Sequence, residues 1–290
     1  MSSLPLTLSL FAAVALLLWG SLWGSFLNVV VYRVPAGLSV VRPRSRCPQC
    51  LTPIAGWHNI PVLSWILLRG ACASCKAPIS PRYPAVEATM AVLALAVGMP
   101  WLPSILDANP MPWQPVVAML GEQAFVFTWL AIALIDADRF EVFDALSLPL
   151  PIAGLGLAAA VGDLRGVPWQ QAGVGALVGG AGFALISWTY GRVTGREGLG
   201  LGDAYILAGI GALLGVNALP AVILAAAIQG LLFVTCTLVV RRRATVLAER
   251  GLASARHFAL PFGPFLVVAG VQWLLLHRWL GTAVALWLPQ

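Results

Sequence analysis

Two aspartates stand where apolar segments begin or end, which is a costly place for a carboxylate. Asp203 follows the glycine-rich run Gly198–Gly202 and precedes Ala204–Val216, which carries no charge. Asp136 comes directly after the uncharged run Ala124–Ile135. An Asp at the centre of a membrane helix costs roughly 2.5–3.5 kcal/mol even on lenient insertion scales. A sequence keeps such a residue when the carboxylate pairs, titrates or reacts.

Two carboxylates at the same depth on separate helices can share one proton and activate a water molecule, which is aspartyl protease chemistry. The alternative is that both are helix caps or solvated charges, with Asp203 as an N-cap after a glycine-rich turn. Asp138 lies roughly 200° around a continuing helix from Asp136, so it is expected to face elsewhere. Asp144 precedes Ala-Leu-Ser and is predicted to be the N-cap of the next span. It is the next candidate if the pair is not catalytic.

Four cysteines form two Cys-x-x-Cys pairs, Cys47/Cys50 and Cys72/Cys75, with 21 residues between them. Each pair offers two thiolates to one face of an ion, so the spacing favours a tetrahedral structural zinc site with a full ligand shell. The alternative is four reduced thiols without a metal, and a redox pair is disfavoured because no βαβ unit surrounds it. His58, between the pairs, is expected at the surface or beside the ligands.

The composition places the chain among polytopic membrane proteins. Apolar residues make up 60% and charged residues 10% of its 290 residues, and the mean hydropathy is +0.89. Because each helix needs about 20 apolar residues to cross a bilayer, the sequence predicts an all-α membrane protein with about eight transmembrane helices. Cys236, within one span, is expected to be a small core residue. The expected spans are Leu6–Val31, Ala85–Leu102, Val116–Ile135, Leu146–Val161, Gln171–Tyr190, Leu199–Val216, Leu219–Val240 and Phe258–Leu276.

The basic residues indicate the orientation of these spans. Residues 33–84 include seven basic residues and no acidic one. With eight spans and the amino terminus outside, 15 of the 17 Lys and Arg residues lie on one face, leaving Arg165 and Arg278 opposite. The positive-inside rule makes the crowded face cytoplasmic, and Asp136 and Asp203 then enter the membrane from that face. Topology explains the net charge of +6, so membrane lipids are expected partners and nucleic acid is not.

The chain is therefore expected to have three parts: a first transmembrane helix at 1–32, a cytoplasmic zinc-binding domain at 33–84, and a helical bundle with the aspartates at 85–290. A loop of about 50 residues without a long amphipathic helix can bury only a small hydrophobic core. A bound metal is therefore expected to stabilise residues 33–84. Within it, Ile60–Leu68 is too short to cross the bilayer and is expected at the interface or against the cysteine pairs.

Motifs along nearly the whole chain make it resemble the bacterial type IV prepilin peptidases. These are GxGD-type aspartyl proteases, bifunctional as leader peptidases and N-methyltransferases, that also serve type II secretion. The resemblance covers the family's opening signature, its cytoplasmic domain, its two catalytic aspartate motifs and its late span. The matching segments are Gly24–Pro35, the double Cys-x-x-Cys with Asn59–Trp65 and Ile79–Pro84, Leu134–Asp136, Gly200–Asp203 and Pro261–Phe265.

The resemblance implies removal of the basic leader from type IV prepilins and pseudopilins at the cytoplasmic face of the bacterial inner membrane, with Asp136 and Asp203 as the catalytic pair. It also implies methylation of the new amino terminus with S-adenosylmethionine, and structural Zn²⁺ in the loop. Three residues depart from the family pattern: His58 replaces an acidic residue, Phe143 a Pro and Tyr205 a Lys. His58 falls in the domain linked to methylation, so its departure bears on the second activity.

Two other classes of function remain open on the residues alone. An ion-coupled transporter also uses intramembrane carboxylates, but it places them near the midplane and often has repeated halves. A zinc-binding scaffold of a secretion or pilus assembly would need no catalytic acids. Such a scaffold would tolerate Asn at both Asp136 and Asp203, whereas a protease would not.

Overall fold

The computed structural model describes residues 5–106, 112–195, 200–247 and 261–287. Within these ranges there is no strand, only two isolated antiparallel bridges, Arg46–Pro53 and Ala71–Pro78. The prediction of an all-α protein is confirmed. The α-helices are α1 Leu6–Arg33, α2 Leu63–Leu67, α3 Arg82–Gly98, α4 Leu102–Leu106, α5 Trp113–Arg139, α6 Asp144–Ser147, α7 Pro149–Arg165, α8 Trp169–Leu177, α9 Phe183–Thr194, α10 Leu201–Leu214, α11 Leu219–Leu247 and α12 Gly263–Trp287, and a π-helical turn, Val178–Gly182, joins α8 to α9.

Six helical stretches in the described part are long and apolar enough to cross a membrane, so the chain is a multi-pass membrane protein. They are Leu6–Arg33, Arg82–Leu106, Trp113–Arg139, Asp144–Arg165, Trp169–Thr194 and Val216–Val239. The two other predicted spans correspond to α10, which has 14 residues, and to α12, and each of these predictions begins outside the described residues. A total of eight spans stays a prediction.

By their internal contacts the residues form two compact units, one of Met1–Ala131 with Arg278–Gln290 and one of Ile132–His277. The first unit holds the cysteines and the helices that flank them. Both candidate aspartates belong to the second unit. The boundaries fall inside helices α5 and α12.

In the first unit, α1 and α3 pack closely because glycines of α1 leave room at their contact. A methyl group on Gly20 would lie 2.6 Å from a Cβ of α3, and one on Gly24 would lie 2.6 Å from the Cα of Glu87. The small-xxx-small pattern thus allows the two backbones to approach. Asn28 donates from Nδ2 to the carbonyl oxygen of Tyr83 at 3.2 Å, which is an interhelical hydrogen bond.

A buried charge pair also stabilises the first unit. Glu122 is fully buried in α5 and forms an ion pair with Arg278. The indole Nε1 of Trp101 donates to Glu122 Oε2 at 2.9 Å, and the guanidinium of Arg278 lies 4.2 Å over the Trp101 ring. Charged residues inside membrane proteins pair in this way because an isolated charge in hydrocarbon is costly.

Helix α10 is the core of the second unit, and its residues 206–213 are apolar and buried on every side. Gly175 of α8 contacts the backbone of Gly211, and Gly179 contacts the carbonyl of Leu207. The fully buried side chains of α10 include Ile206, Leu207, Ile210 and Leu213. Helix α11 is more open, and Cys236 on it is exposed, so the expectation of a core cysteine is wrong. That face of α11 is available to lipid.

Candidate active site and metal centre

Asp136 lies in the last turn of α5, at the end of a buried apolar stretch. The residue is only 5% exposed, whereas Asp138, two residues on, is exposed as the helical rotation predicts. The helix ends at Arg139, and the amide of Phe140 donates to the Asp136 carbonyl at 2.8 Å. Phe140 has a φ of 58°, an uncommon conformation for a residue with a side chain and one found at strained functional positions.

Asp203 lies in the first turn of α10, where the positive end of the helix dipole favours an acid. The N-cap of this helix is Gly200, and Asp203 is the third residue after it. The amide of Asp203 donates to the Gly200 carbonyl at 3.1 Å, and the Gly200 amide hydrogen-bonds to the Asp203 carboxylate. This is the backward contact of a capping box. Asp203 is therefore not an N-cap, and the residue is only 8% exposed.

The carboxylates of Asp136 and Asp203 line the same cavity, which has a volume of about 240 Å³. A water molecule occupies about 30 Å³ in the liquid, so the cavity has room for a water and part of a peptide chain. Two acids that share such a space can hold one proton between them and act as acid and base on one substrate. The other lining residues are Phe140, Val142, Gly200, Gly202, Pro261 and Phe262.

Two glycines bring backbone close to this cavity where a side chain would not fit. A methyl group on Gly202 would lie 2.7 Å from the Cβ of Val142. One on Gly263, the first residue of α12, would lie 2.5 Å from Asp136 Oδ2. The Gly263 amide hydrogen-bonds to the Asp136 carboxylate. Sequence reasoning did not assign Gly263 a role, although Pro261–Phe265 was among the matching motifs.

Asp144 does not line this cavity and its side chain is exposed. The prediction that it is an N-cap is wrong. Phe143, with extended backbone angles (φ −83°, ψ 123°), is the N-cap, and Asp144 is the first residue of α6. An acid in the first turn is favoured by the helix dipole in any case, which is why the sequence pattern looks the same for both positions.

The four cysteines come together in the first unit, where each pair forms a similar turn. The amide of Leu51 donates to the Cys47 carbonyl at 2.9 Å, and the amide of Lys76 donates to the Cys72 carbonyl at 3.1 Å. Leu51 and Lys76 both have positive φ angles, 58° and 61°. The isolated bridges Arg46–Pro53 and Ala71–Pro78 close the two turns. The two turns thus have matching backbone conformations.

The sulfur atoms fit a tetrahedral metal. All four Sγ atoms lie within 4.8 Å of one another, and Cys47 Sγ lies 3.8 Å from Cys75 Sγ. Tetrahedral zinc with Zn–S bonds of about 2.3 Å places its sulfurs about 3.8 Å apart. His58 is not among these four ligand groups; it lies in the 3₁₀ turn Gly56–Asn59, with its ring centroid 6.1 Å from that of Trp57.

The thiols of this cluster differ in acidity. The hydroxyl and the amide of Thr52 hydrogen-bond to the Cys50 sulfur and lower its pKa to about 6. The amide of Cys75 lowers the pKa of Cys72. Although the Ala77 amide favours its thiolate, desolvation and the neighbouring sulfurs raise the pKa of Cys75 to about 11. Cys50 thus provides a thiolate near neutral pH, and a bound cation would displace the remaining protons of the cluster.

Glu87, which sequence reasoning missed, ties the cysteine-bearing segment to the membrane helices. Its Oε2 accepts a hydrogen bond of 2.6 Å from the amide of Val62, the residue before α2. The Ser25 side chain of α1 also hydrogen-bonds to this carboxylate. Val62 has a φ of 61°, unusual for a β-branched residue, so the contact holds a strained turn. The available signal was an acid two residues inside the predicted span Ala85–Leu102.

The fold and the site together define a multi-pass membrane protein with two aspartates on one cavity. The family models described as Bacterial Peptidase A24 N-terminal domain and Type IV leader peptidase family match residues 18–101 and 124–235. The chain belongs to the type IV leader peptidase family. The resemblance stated from the motifs is confirmed.

Curated relatives with the name prepilin leader peptidase/N-methyltransferase match along most of the chain. The protein of Aeromonas hydrophila is 36% identical, with 91% of this chain and 89% of the relative covered. The protein of Neisseria gonorrhoeae is 34% identical, with 91% of this chain and 90% of the relative covered. That of Dickeya chrysanthemi is 36% identical, with 91% and 92% covered. No solved structure matches the chain.

Proposed function

We propose that this protein is an aspartyl endopeptidase of the membrane that removes the basic leader from type IV prepilins and pseudopilins and then methylates the new amino terminus. The observation that carries the proposal is the cavity shared by Asp136 and Asp203. Membership of the type IV leader peptidase family and the names of the relatives support the choice of substrate. Other aspartates of the same region, Asp138 and Asp144, are exposed.

In the proposed mechanism the two carboxylates share one proton. The ionised one takes a proton from water, and the resulting hydroxide attacks the carbonyl carbon of the scissile bond. The protonated one donates its proton to the carbonyl oxygen, so no free oxyanion forms. When the tetrahedral intermediate collapses, the carbon–nitrogen bond breaks and the proton taken from water passes to the leaving amine. One hydroxyl of the intermediate returns its proton to the other carboxylate as the new carboxyl group forms, so the pair again holds one proton. Coupled acids titrate as a pair, so either aspartate can be the base.

The geometry of the site suits a substrate cut at the face of the membrane. A prepilin keeps its charged leader in the cytoplasm while its apolar segment lies in the bilayer, so the bond between them lies at the boundary. Asp136 lies near the end of a candidate membrane helix and Asp203 near the start of a shorter apolar helix that we take as a further span, so both would lie at this boundary. We place the site and residues 33–84 on the cytoplasmic face of the bacterial inner membrane because 15 of 17 basic residues fall on that side.

The proposed division of labour follows the three parts of the chain. Residues 1–32 form the first transmembrane helix, residues 33–84 form the zinc-binding domain, and residues 85–290 form the helical bundle that carries the protease site. Zn²⁺ held by Cys47, Cys50, Cys72 and Cys75 is structural, because four thiolates fill a tetrahedral shell. We place the site of methyl transfer near residues 33–84, with S-adenosylmethionine supplying the methyl group. His58 differs from the family's acidic residue there, which bears on methylation and not on cleavage.

Mass spectrometry of a pilin amino terminus after co-expression with this protein tests the proposal in one spectrum. The expected product lacks the leader and carries one additional methyl group on its first residue. A pilin that keeps its full leader, beside a protein shown to be inserted in the membrane, would contradict the protease assignment. A cleaved but unmethylated pilin would contradict the second activity alone.

A further inference from the structure

The short helix α2 presents an exposed apolar face, which we call the α2 face. Ile60, Leu63, Ile66 and Leu67 are 45%, 48%, 58% and 71% exposed. Leu63, Ile66 and Leu67 are three and four residues apart and so lie along one side of α2, and Ile60 lies just before the helix. The opposite side is packed: Ser64 is buried and donates from Oγ to the carbonyl of Trp57 at 3.0 Å. The face is therefore a defined surface of a folded segment.

One hydrogen bond and one close backbone contact set the level of α2 relative to the membrane helices of its own unit. The amide of Val62 donates to Glu87, which lies five residues inside α3 from Arg82, or about 7.5 Å along the helix axis. On α1, Glu87 contacts Gly24, nine residues or about 13.5 Å before the helix end at Arg33. Since α1 and α3 both belong to candidate membrane spans, the start of α2 lies beside their apolar flanks and not beyond their ends.

The charge of the segment that contains α2, residues 33–84, indicates what covers the α2 face. Residues 33–84 contain seven basic residues and no acidic one. Basic surfaces next to membrane helices attract anionic lipid headgroups and repel a basic leader peptide. Trp57, 71% exposed in the turn before α2, is a residue type enriched at the membrane interface. The exposed basic residues of this segment include Arg42, Arg44, Arg46, Arg69 and Lys76.

We propose that the α2 face is a lipid-contact surface that lies at the boundary between headgroups and acyl chains of an anionic bilayer. Ile60, Leu63, Ile66 and Leu67 contact the acyl chains, and the exposed arginines contact the headgroups. This surface holds the cysteine-bearing segment down on the membrane at a third point, besides α1 and α3. The proposal rests on the membrane placement of α1 and α3 and not on the catalytic role of the aspartates.

Site-specific photocrosslinking in the full-length protein tests the contact. The photoreactive amino acid p-benzoylphenylalanine is introduced at Leu67, and in a matched control at Gln49, which is exposed on the first cysteine turn. Each variant is placed in nanodiscs of equal parts phosphatidylglycerol and phosphatidylcholine, irradiated, and analysed by mass spectrometry. We expect lipid adducts at position 67, enriched in phosphatidylglycerol, and several-fold fewer at position 49.

Two results of the crosslinking experiment would contradict the proposal or part of it. If position 67 gives no lipid adduct, or gives only adducts to protein, the proposal is overturned, and a protein adduct would identify the other occupant. Equal adducts with both lipids would overturn the anionic preference. Zinc content and prepilin cleavage are measured for both variants. Should the variant at 67 lose zinc, the same label at Leu63 replaces it. Cleavage by either variant is independent of the crosslinking result, so the two proposals fail separately.

Discussion

The backbone of Gly263 lies against the carboxylate of Asp136, so that a methyl group added to this glycine would stand 2.5 Å from Asp136 Oδ2. No real Cβ tolerates that distance to an oxygen, and the glycine amide is also a hydrogen-bond partner of the carboxylate. The first residue of α12 thus fixes the position of one member of the proposed catalytic pair.

The first prediction is that Gly263→Ala lowers leader cleavage by about 100-fold, since displacing a reacting group by about 1 Å has effects of that size. The substitution has to move either the carboxylate or the start of α12. Cleavage of a purified prepilin, followed by mass spectrometry, gives the rate.

Gly156→Ala is the matched control, because a methyl group on this helical glycine of α7 meets nothing within 4 Å. The control should retain the wild-type rate. Equal rates for Gly263→Ala and the wild type would show that Asp136 does not need this contact.

The second prediction concerns zinc. Each chain should bind one zinc ion, and Cys47→Ser should release it and disorder residues 33–84, because the binding free energy of such a site is folding free energy. Elemental analysis of reduced protein gives the metal content. Less than half a zinc ion per chain in the wild type would contradict the predicted zinc site.

The same variant separates the two proposed activities. Cleavage should suffer less than methylation, since the aspartates belong to the other compact unit. A cysteine variant that methylates fully but does not cleave would reverse this division of labour.

The third prediction concerns the hydrogen bond between Val62 and Glu87. Glu87→Leu leaves the Val62 amide without its partner, which should destabilise the turn before α2 by about 1–3 kcal/mol. Hydrogen exchange of residues 60–67 should accelerate accordingly. Glu87→Gln keeps an acceptor oxygen at the same place and should stay close to the wild type. Unchanged exchange in Glu87→Leu would mean that the contact does not hold the turn.

The fourth prediction concerns topology. A cysteine introduced at Ser45 should be protected from a membrane-impermeant thiol reagent in intact cells. One at Gln290, which lies outside the described residues, should be labelled, because eight spans return the chain to its starting side. Wild-type protein gives the background of the native cysteines. Labelling at position 45 would contradict the orientation drawn from the 15 basic residues of one face.

The sequence could predict what depends on local pattern. Hydropathy identified the helices, and the positions of Asp136 and Asp203 at the ends of apolar runs predicted two acids at one level, which in the structure line one cavity. The spacing of Cys47, Cys50, Cys72 and Cys75 predicted a cluster of four sulfurs, which in the structure lie within 4.8 Å. In both cases the residue type and its place on an element were enough.

What the sequence could not predict are contacts between residues far apart in the chain. Gly263 meets Asp136 across 127 positions, and Glu122 pairs with Arg278 across 156. No periodicity carries such information. The error at Asp144 has a different cause, since an acid at the N-cap and an acid in the first turn give the same local pattern. The structure distinguishes the two positions, because the extended backbone of Phe143 makes Phe143 the N-cap.

The fifth prediction tests the central claim, that Asp136 and Asp203 together cleave the leader. Purified Asp136→Asn and Asp203→Asn, each inserted and folded, should lose cleavage of a purified prepilin by at least about 10²–10⁴-fold, because the amide keeps the shape but loses the acid–base function. Asp138→Asn, at an exposed position two residues from Asp136, should cleave at the wild-type rate. Appreciable cleavage by either of the first two variants would contradict the pair and make Asp144 the next aspartate to test.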